Sequence, residues 1–218
     1  MICTPAMDGK VCTGYANSYV YTILAGKDRG WNVSSQMLVF NSNISQARAL
    51  ISRTFMQSDA DVMFSIDSDI SWDVEGFYKV LEAKPDVVLG CYPKKQDELD
   101  FTPFGFGFVK ITRNAIERMQ EAYPELHANY IENGVVKHNL YMLYNEMIDE
   151  SGMATGEDIA FFQRWRKIGG EVAVETDINF EHYGTKTYCG NLADHLRKET
   201  GNGSVLRNEY IGGFAHAN

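Results

Sequence analysis

Along the first two-thirds of the chain, short β-branched and apolar runs alternate with stretches whose apolar positions recur every three or four residues. This is the pattern of a sheet joined by crossover helices. The runs predict strands over Met1–Thr4, Val33–Phe40, Asp61–Ile66, Asp86–Cys91 and Phe106–Ile111. A helix is expected from Gly14 to Ala25, ending near Gly26. Ala47, Leu50, Ile51, Thr54 and Phe55 repeat at helical spacing, as do Val74, Phe77, Tyr78 and Leu81, and then Ile116 and Met119. Asp73 stands where the second of these stripes needs an N-cap, with a side-chain oxygen that can accept from the first free backbone N–H groups.

After Pro124 the regularity weakens. Asn133-Gly134 predicts a hairpin turn, because both residues tolerate positive φ, and Leu140, Met142 and Tyr144 alternate like a half-buried strand. Phe161, Phe162, Trp165 and Ile168 then form the stripe of another helix, stopped by Gly169-Gly170 before the strand-like Glu171–Glu175. Beyond Asn191 a helix is expected from Leu192 to Lys198, followed by a loosely held polar end.

A length of 218 residues suits one domain with a single sizeable core, and 44% hydrophobic with 22% charged residues excludes the disordered and fibrous classes. Twenty basic against 29 acidic residues give a net charge of -9, which disfavours binding to a polyanion unless basic side chains converge locally. The candidates for such a patch are Lys94-Lys95 and Arg164-Trp165-Arg166-Lys167, the second of which a solvated helix face also explains. Cys3, Cys12, Cys91 and Cys189 show no CxxC spacing and read as reduced, mostly buried thiols. No apolar run is long enough for a membrane span, and the first residues lack a basic leader, so an intracellular, cytoplasmic protein of cellular or viral origin is expected.

The predicted third strand delivers Asp67-Ser68-Asp69 at its carboxyl end, where ligands bind in open α/β sheets. Two carboxylates one residue apart repel each other unless a cation lies between them, and Mg²⁺ or Mn²⁺ suits hard oxygen ligands while leaving positions open for phosphates. The plain alternative is a strand end whose acids cap the helix that follows Trp72. A haloacid-dehalogenase-like phosphatase is a further alternative. That family, however, places its aspartates on the first strand and follows them with Gly-Thr, whereas here Ile70-Ser71 follows.

Thr4-Pro5 after the first strand, Ile44-Ser45-Gln46-Ala47-Arg48, Phe64–Ile70, Val87–Lys94, Gly105–Arg113, Gly156–Phe161 and His182-Tyr183-Gly184 come in an order and spacing that resembles GT-A glycosyltransferases. The likeness is to family 2-like enzymes and small virus-encoded members, and it spans about residues 1 to 190. It implies a single α/β, Rossmann-like domain with a mixed central sheet flanked by helices. Within it, residues 1–100 would form the nucleotide-sugar-binding half, 101–190 the acceptor and catalytic half, and 191–218 a C-terminal helix and tail. The implied activity is metal-dependent transfer of a hexosyl or pentosyl group from a nucleoside-diphosphate donor to a hydroxyl acceptor, with a UDP-sugar favoured and with inversion. The implied acceptor is a glycan on a lipid or glycoprotein; a modified base in nucleic acid is the less expected one. A non-catalytic nucleotide-sugar-binding module is the third alternative.

The same resemblance assigns roles. Asp69, Asp67 and His182 would hold Mn²⁺ or Mg²⁺, with Asp67 and Ser68 on the nucleotide side. A lone histidine is otherwise more often a hydrogen-bonded core or surface group. Thr4, Pro5 and Ala6 would line the nucleoside pocket through backbone atoms, and Arg48 would face the diphosphate, a surface ion pair being its alternative. Glu157 and Asp158 would supply the base that takes the acceptor's proton. Thr155-Gly156-Glu157-Asp158 also reads as a capping box with Thr155 as N-cap. Many relatives place an acid near the end of the second strand to read the base, whereas this chain has Phe40-Asn41-Ser42-Asn43. Phe106 and Phe108 would stack on a sugar or pack in the core, and Lys94–Asp100 would form a lid.

Overall fold

The computed structural model describes residues 1–102 and 104–200, so the expected loose tail falls outside the described residues. In chain order the first half contains β1 (Ile2–Ala6), α1 (Thr13–Asp28), β2 (Ser35–Val39), α2 (Ile44–Met56), β3 (Val62–Ile66), β4 (Ile70–Trp72), α3 (Val74–Glu82) and β5 (Val87–Gly90). The second half contains β6 (Phe108–Thr112), α4 (Arg113–Ala122), β7 (His127–Glu132), β8 (Val135–Tyr141), β9 (Met147–Ile148), β10 (Ala154–Thr155), α5 (Glu157–Lys167), β11 (Val172–Glu175), β12 (Phe180–Tyr183), β13 (Thr187–Gly190) and α6 (Leu192–Thr200).

Six strands form the central sheet in the order β11-β5-β6-β3-β1-β2. It is mixed: β1 runs parallel to β2 and β3, and β11 to β5, whereas β6 is antiparallel to both β3 and β5. Alternation along each strand separates two apolar layers. Met63, Val87, Leu89, Val109 and Ile111 face α2, α4 and α5, while Phe64, Val88 and Phe108 face the layer that holds Tyr15 of α1 and Phe77 of α3. The result is a single mixed α/β domain, its sheet covered by helices on both faces.

Several local signals act as expected. Asp73 caps α3, its Oδ1 accepting from Gly76 N at 2.6 Å. Asn133 and Gly134 turn the β7–β8 hairpin with φ of 52° and 76°, and Gly169 stops α5 with φ of 78°. Others act differently. α1 runs past Gly26 to Asp28, because Gly26 serves close packing: a Cβ there would lie 2.6 Å from Tyr78 Oη. β8 ends at Tyr141, and Leu143 and Tyr144 are buried in the turn beyond it. Thr155 does not cap α5. Gly156 holds that position without a side-chain bond, and Thr155 Oγ1 donates instead to Met147 O at 3.2 Å within the β9–β10 ladder.

All four cysteines are free thiols, with Cys3 and Cys91 buried, Cys12 half-buried and Cys189 exposed. The basic run on α5 is not a uniformly solvated face. Arg164 is buried and donates to the carbonyls of Leu143 and Asn145 at 2.8 and 2.7 Å, tying the helix to the preceding loop. Among the described residues no helix is long and apolar enough to cross a membrane.

Candidate functional site

β3 is buried from Met63 to Ile66, where it stops, so the chain leaves the sheet where Asp67 begins. Asp67 N donates to Gly107 O at 3.0 Å and Ile70 N to Asp67 O at 3.3 Å, closing a tight turn around the triplet. Ser68 O accepts from Cys12 N at 2.9 Å, fastening the loop that follows β1 to the same turn.

β4 departs from the expected run-up to a helix. Ile70–Trp72 pair antiparallel with β12, His182 lying opposite Ile70, and Tyr183 N donates to Asp69 O at 2.8 Å. The β12–β13 hairpin is thereby laid against the triplet, which places the His182 ring beside Asp69. His182 Nδ1 lies 2.8 Å from the carbonyl of Pro93; a carbonyl only accepts, so Nδ1 carries the proton. Its Nε2 faces Asp69 Oδ2 at 3.7 Å. The same Asp69 oxygen receives the ammonium group of Lys95. Burial alone would raise the Asp69 pKa, but the nearby His182 ring and the hydrogen bond and charge of Lys95 bring it down to about 2.

Arg48 does not lie on the surface. Its side chain is 5% exposed, projecting from α2 beneath the triplet. NH2 donates to Asp67 Oδ1 and NH1 to Ser65 Oγ, both at 3.1 Å, and the guanidinium lies 4.9 Å from the centroid of the Phe106 ring. Its Nε is 3.7 Å from Glu157 Oε1 and is a buried donor without a hydrogen bond. Burial works against the charge, yet Asp67 and Glu157 more than offset it, holding the group firmly protonated. Arg48 thus joins the strand-end triplet to the start of α5, two acidic motifs far apart in sequence.

Asp158, next to Glu157 in the first turn of α5, accepts from Ile159 N at 2.7 Å and contributes to the field at Tyr92, whose hydroxyl accepts from Gly107 N at 3.2 Å. Asp67, Asp69, Glu157 and Asp158 therefore surround one rim. Thr4 is fully buried with its hydroxyl bonded to Tyr15 at 2.6 Å, so its side chain is withdrawn from any ligand, and Ala6 is buried as well. Pro5, half-buried, pairs with Leu38 across the β1–β2 ladder. Phe106 and Phe108 are core residues at 2% and 0% exposure, which rules out stacking on a sugar in this arrangement.

Three ion pairs shape the Lys94–Asp100 segment, one closing it on itself and two tying it to the rest of the fold. Lys94 pairs with Asp100 at 2.6 Å, Lys186 of the β12–β13 hairpin pairs with Asp97 at 2.7 Å, and Lys95 reaches Asp69. The two lysines are thus engaged by separate acids and form no converging basic patch.

Among the described residues no group of three or more His, Cys, Asp and Glu side chains is arranged as a metal site. The donor set nevertheless fits a divalent cation in part. A carboxylate oxygen and an imidazole lone pair facing each other at 3.7 Å can both reach one ion at ordinary ligand distances of about 2.0–2.2 Å. Asp67 does not complete the set, since its Oδ1 is turned to Arg48. A cation bound by Asp69 and His182 would have to displace Lys95.

On the opposite face of the β4–β12–β13 sheet lies an open groove of about 750 Å³ between α1 and α6. Glu181 and Tyr183 line it, alternating with His182 along β12. It is separated from the acidic rim by the sheet itself.

No protein-family model and no curated protein matches the sequence. The fold is similar to that of A197 from STIV, with a TM-score of 0.50 and 15% identity over 87% of this chain and 88% of that one. A glycosyltransferase involved in the glycosylation of the major capsid of PBCV-1 aligns over 57% of this chain and 66% of its own, with a TM-score of 0.35 and 11% identity. The first likeness is one of fold, and the second is too distant to bear on function.

Proposed function

We propose that the chain is a glycosyltransferase that moves a sugar from a nucleoside-diphosphate donor to a hydroxyl acceptor. The observation that carries this reading is the buried Arg48 bridge, which assembles Asp67 and Glu157 on the rim formed by the carboxyl ends of β1 and β3. Open α/β sheets bind ligands at that rim.

Asp69 and His182 are the residues that would hold Mn²⁺ or Mg²⁺ against the donor diphosphate. When bound, the ion supplies Lewis-acid stabilisation of the departing phosphate oxygens. Arg48 neutralises Asp67, so that the nucleotide side of the site does not repel a polyanion. Glu157 is committed to Arg48, which leaves Asp158 as the base. The acceptor oxygen bonds to the anomeric carbon while the bond from that carbon to the diphosphate oxygen breaks. The acceptor's proton passes to Asp158, and the bonding electrons leave with the nucleoside diphosphate. One displacement of this kind inverts the anomeric centre. The division into a donor half, residues 1–100, and an acceptor half, residues 101–190, belongs to this reading.

The test is a thermal-shift panel of nucleoside diphosphates and nucleotide-sugars with and without Mn²⁺, on the native chain and on Asp69→Ala, coupled to detection of released nucleoside diphosphate. A metal-dependent rise in Tm that Asp69→Ala abolishes is expected. If no donor stabilises the native chain, the reading fails. Phosphomonoester hydrolysis abolished by Asp67→Asn would replace it with the phosphatase alternative.

A further inference from the structure

β2 is the last strand of the central sheet, paired with β1 on one side and, among the described residues, with no strand on the other. The hydrogen bonds to β1 show which of its amides point away. Ile2 lies opposite Ser35, and Ile2 N donates to Ser34 O at 2.8 Å. In a parallel ladder alternate residues of a strand turn both N–H and C=O to the same neighbour, so Ser34, Gln36 and Leu38 face β1 while Ser35, Met37 and Val39 turn theirs outward. Water reaches that edge: Ser35 is exposed, and Met37 and Val39 are 40% and 42% exposed.

An open edge is a template for pairing with another chain, and edges are ordinarily protected by charge, proline or a bulge. β2 has none of these. Its pairing with β1 runs without a register shift, and residues 30–47 contain no proline and no charged side chain, in a chain whose net charge is -9. The opposite edge of the same sheet is built differently, because β11 follows Glu171 and ends in Glu175.

The chemistry of the β2 edge selects its partner. Two copies that each carry a charge of -9 repel one another unless they meet where neither is charged, and this edge meets that condition. It is also self-complementary. An antiparallel approach about a two-fold axis through Met37 sets Met37 against its own counterpart and Ser35 against Val39 in both directions. All three residues turn their amides outward, so each becomes a hydrogen-bonded pair, and the symmetry repeats every contact. An axis through Gln36 or Leu38 would leave one of the three without a strand partner.

We propose that the β2 edge is a homodimer interface, in which two copies pair antiparallel about Met37 and join their six-stranded sheets into one continuous sheet. The carboxyl ends of the two β2 strands then point in opposite directions, and each copy keeps its own acidic rim. Nothing in this pairing depends on the reaction proposed above.

Analytical ultracentrifugation of the native chain, Met37→Lys, Met37→Pro and Ile131→Lys tests it, over dilutions from millimolar to micromolar. The native chain should sediment as a dimer. Met37→Lys sets two ammonium groups against each other at the axis and should raise the dimer Kd by roughly fivefold or more. Met37→Pro removes an outward N–H and leaves the bonds to β1 in place, so the dimer should be lost while circular dichroism stays native. Ile131 is 74% exposed on the separate β7–β8 hairpin, and Ile131→Lys should leave the dimer unchanged. In a Cys189→Ser background, which removes the exposed thiol, oxidised Met37→Cys should form a cross-linked dimer and Gln36→Cys should not. Hydrogen-bonded antiparallel neighbours lie about 5.5 Å apart at Cα, within disulfide reach. A native chain that stays monomeric throughout the dilutions overturns the proposal. So does a dimer that Ile131→Lys splits and Met37→Lys leaves intact, or cross-linking at Gln36 in place of Met37. Should the Met37→Lys and Met37→Pro variants unfold, the cross-link decides.

Discussion

Replacing Arg48 with Met keeps an unbranched apolar stem but removes the guanidinium, and with it the contact over Phe106 and the charge that joins Asp67 to Glu157. Breaking a fully buried ion pair by removing one partner costs about 3–5 kcal/mol, most of it from the charge left behind. Here the side chains of Asp67 and Glu157 keep 29% and 21% exposure, so both carboxylates can regain part of their hydration. We expect a loss nearer to about 2–3 kcal/mol. At about 2–4 °C per kcal/mol for a chain of this size, Tm should fall by roughly 4–12 °C. Urea unfolding at neutral pH measures the free energy, and Asp67→Asn with the double variant completes a cycle. Because the two side chains are bonded at 3.1 Å, the losses should be non-additive by about 1 kcal/mol or more. Arg48→Lys should lie between the native chain and Arg48→Met, since an ammonium keeps the charge but cannot serve Ser65, Asp67 and Glu157 together. An Arg48→Met variant within about 1 kcal/mol of the native chain, or a cycle additive within about 0.5 kcal/mol, would refute the bridge as the element that assembles the rim.

Lys95→Met should tighten Mn²⁺ binding, because the ammonium competes for the same Asp69 oxygen; a half-exposed ion pair of about 1 kcal/mol corresponds to up to about fivefold in Kd, read by calorimetry or by the spin-resonance signal of free Mn²⁺. Unchanged or weaker binding in that variant would mean the lysine and the ion do not exclude each other. The acid limb of stability should carry a contribution from Asp69, whose folded pKa is depressed from 3.8 to about 2. A depressed carboxylate stabilises the fold above its unfolded pKa and loses that contribution as the pH falls toward the folded value, so the loss should run between about pH 4 and pH 2. Urea midpoints across that window should converge for the native chain and Asp69→Asn at the acid end; parallel curves would count against the Lys95 and His182 contacts.

The resemblance drawn from the sequence led to the acidic rim, and the structure shows partners there that no local pattern announced. Arg48 was expected to face the diphosphate, with a surface ion pair as the alternative; it does form ion pairs, but buried ones between two carboxylates. Thr155-Gly156-Glu157-Asp158 also read as a capping box, but the short β9–β10 ladder takes the Thr155 hydroxyl. Phe106 was a candidate sugar platform, and it is the ring beneath Arg48.

What the sequence determines by itself is what neighbouring residues decide. Alternation set Met63 and Phe64 on opposite faces of β3, and helical spacing marked the buried stripes of α2, α3 and α5. Asp73, Asn133-Gly134 and Gly169 punctuated the chain through local hydrogen bonding and positive φ. These are short-range effects, legible because the atoms concerned lie within a few bonds of each other. The tertiary structure alone decided that Ile70–Trp72 is a strand, since β12 must be present to pair with it. It also decided that His182 and Lys95 share one oxygen of Asp69, and that Arg48 serves both Asp67 and Glu157. A charged side chain carries no local mark of its partner. The partner is chosen by which strands lie side by side and by the cost of leaving a buried charge alone, and both exist only once the chain has closed.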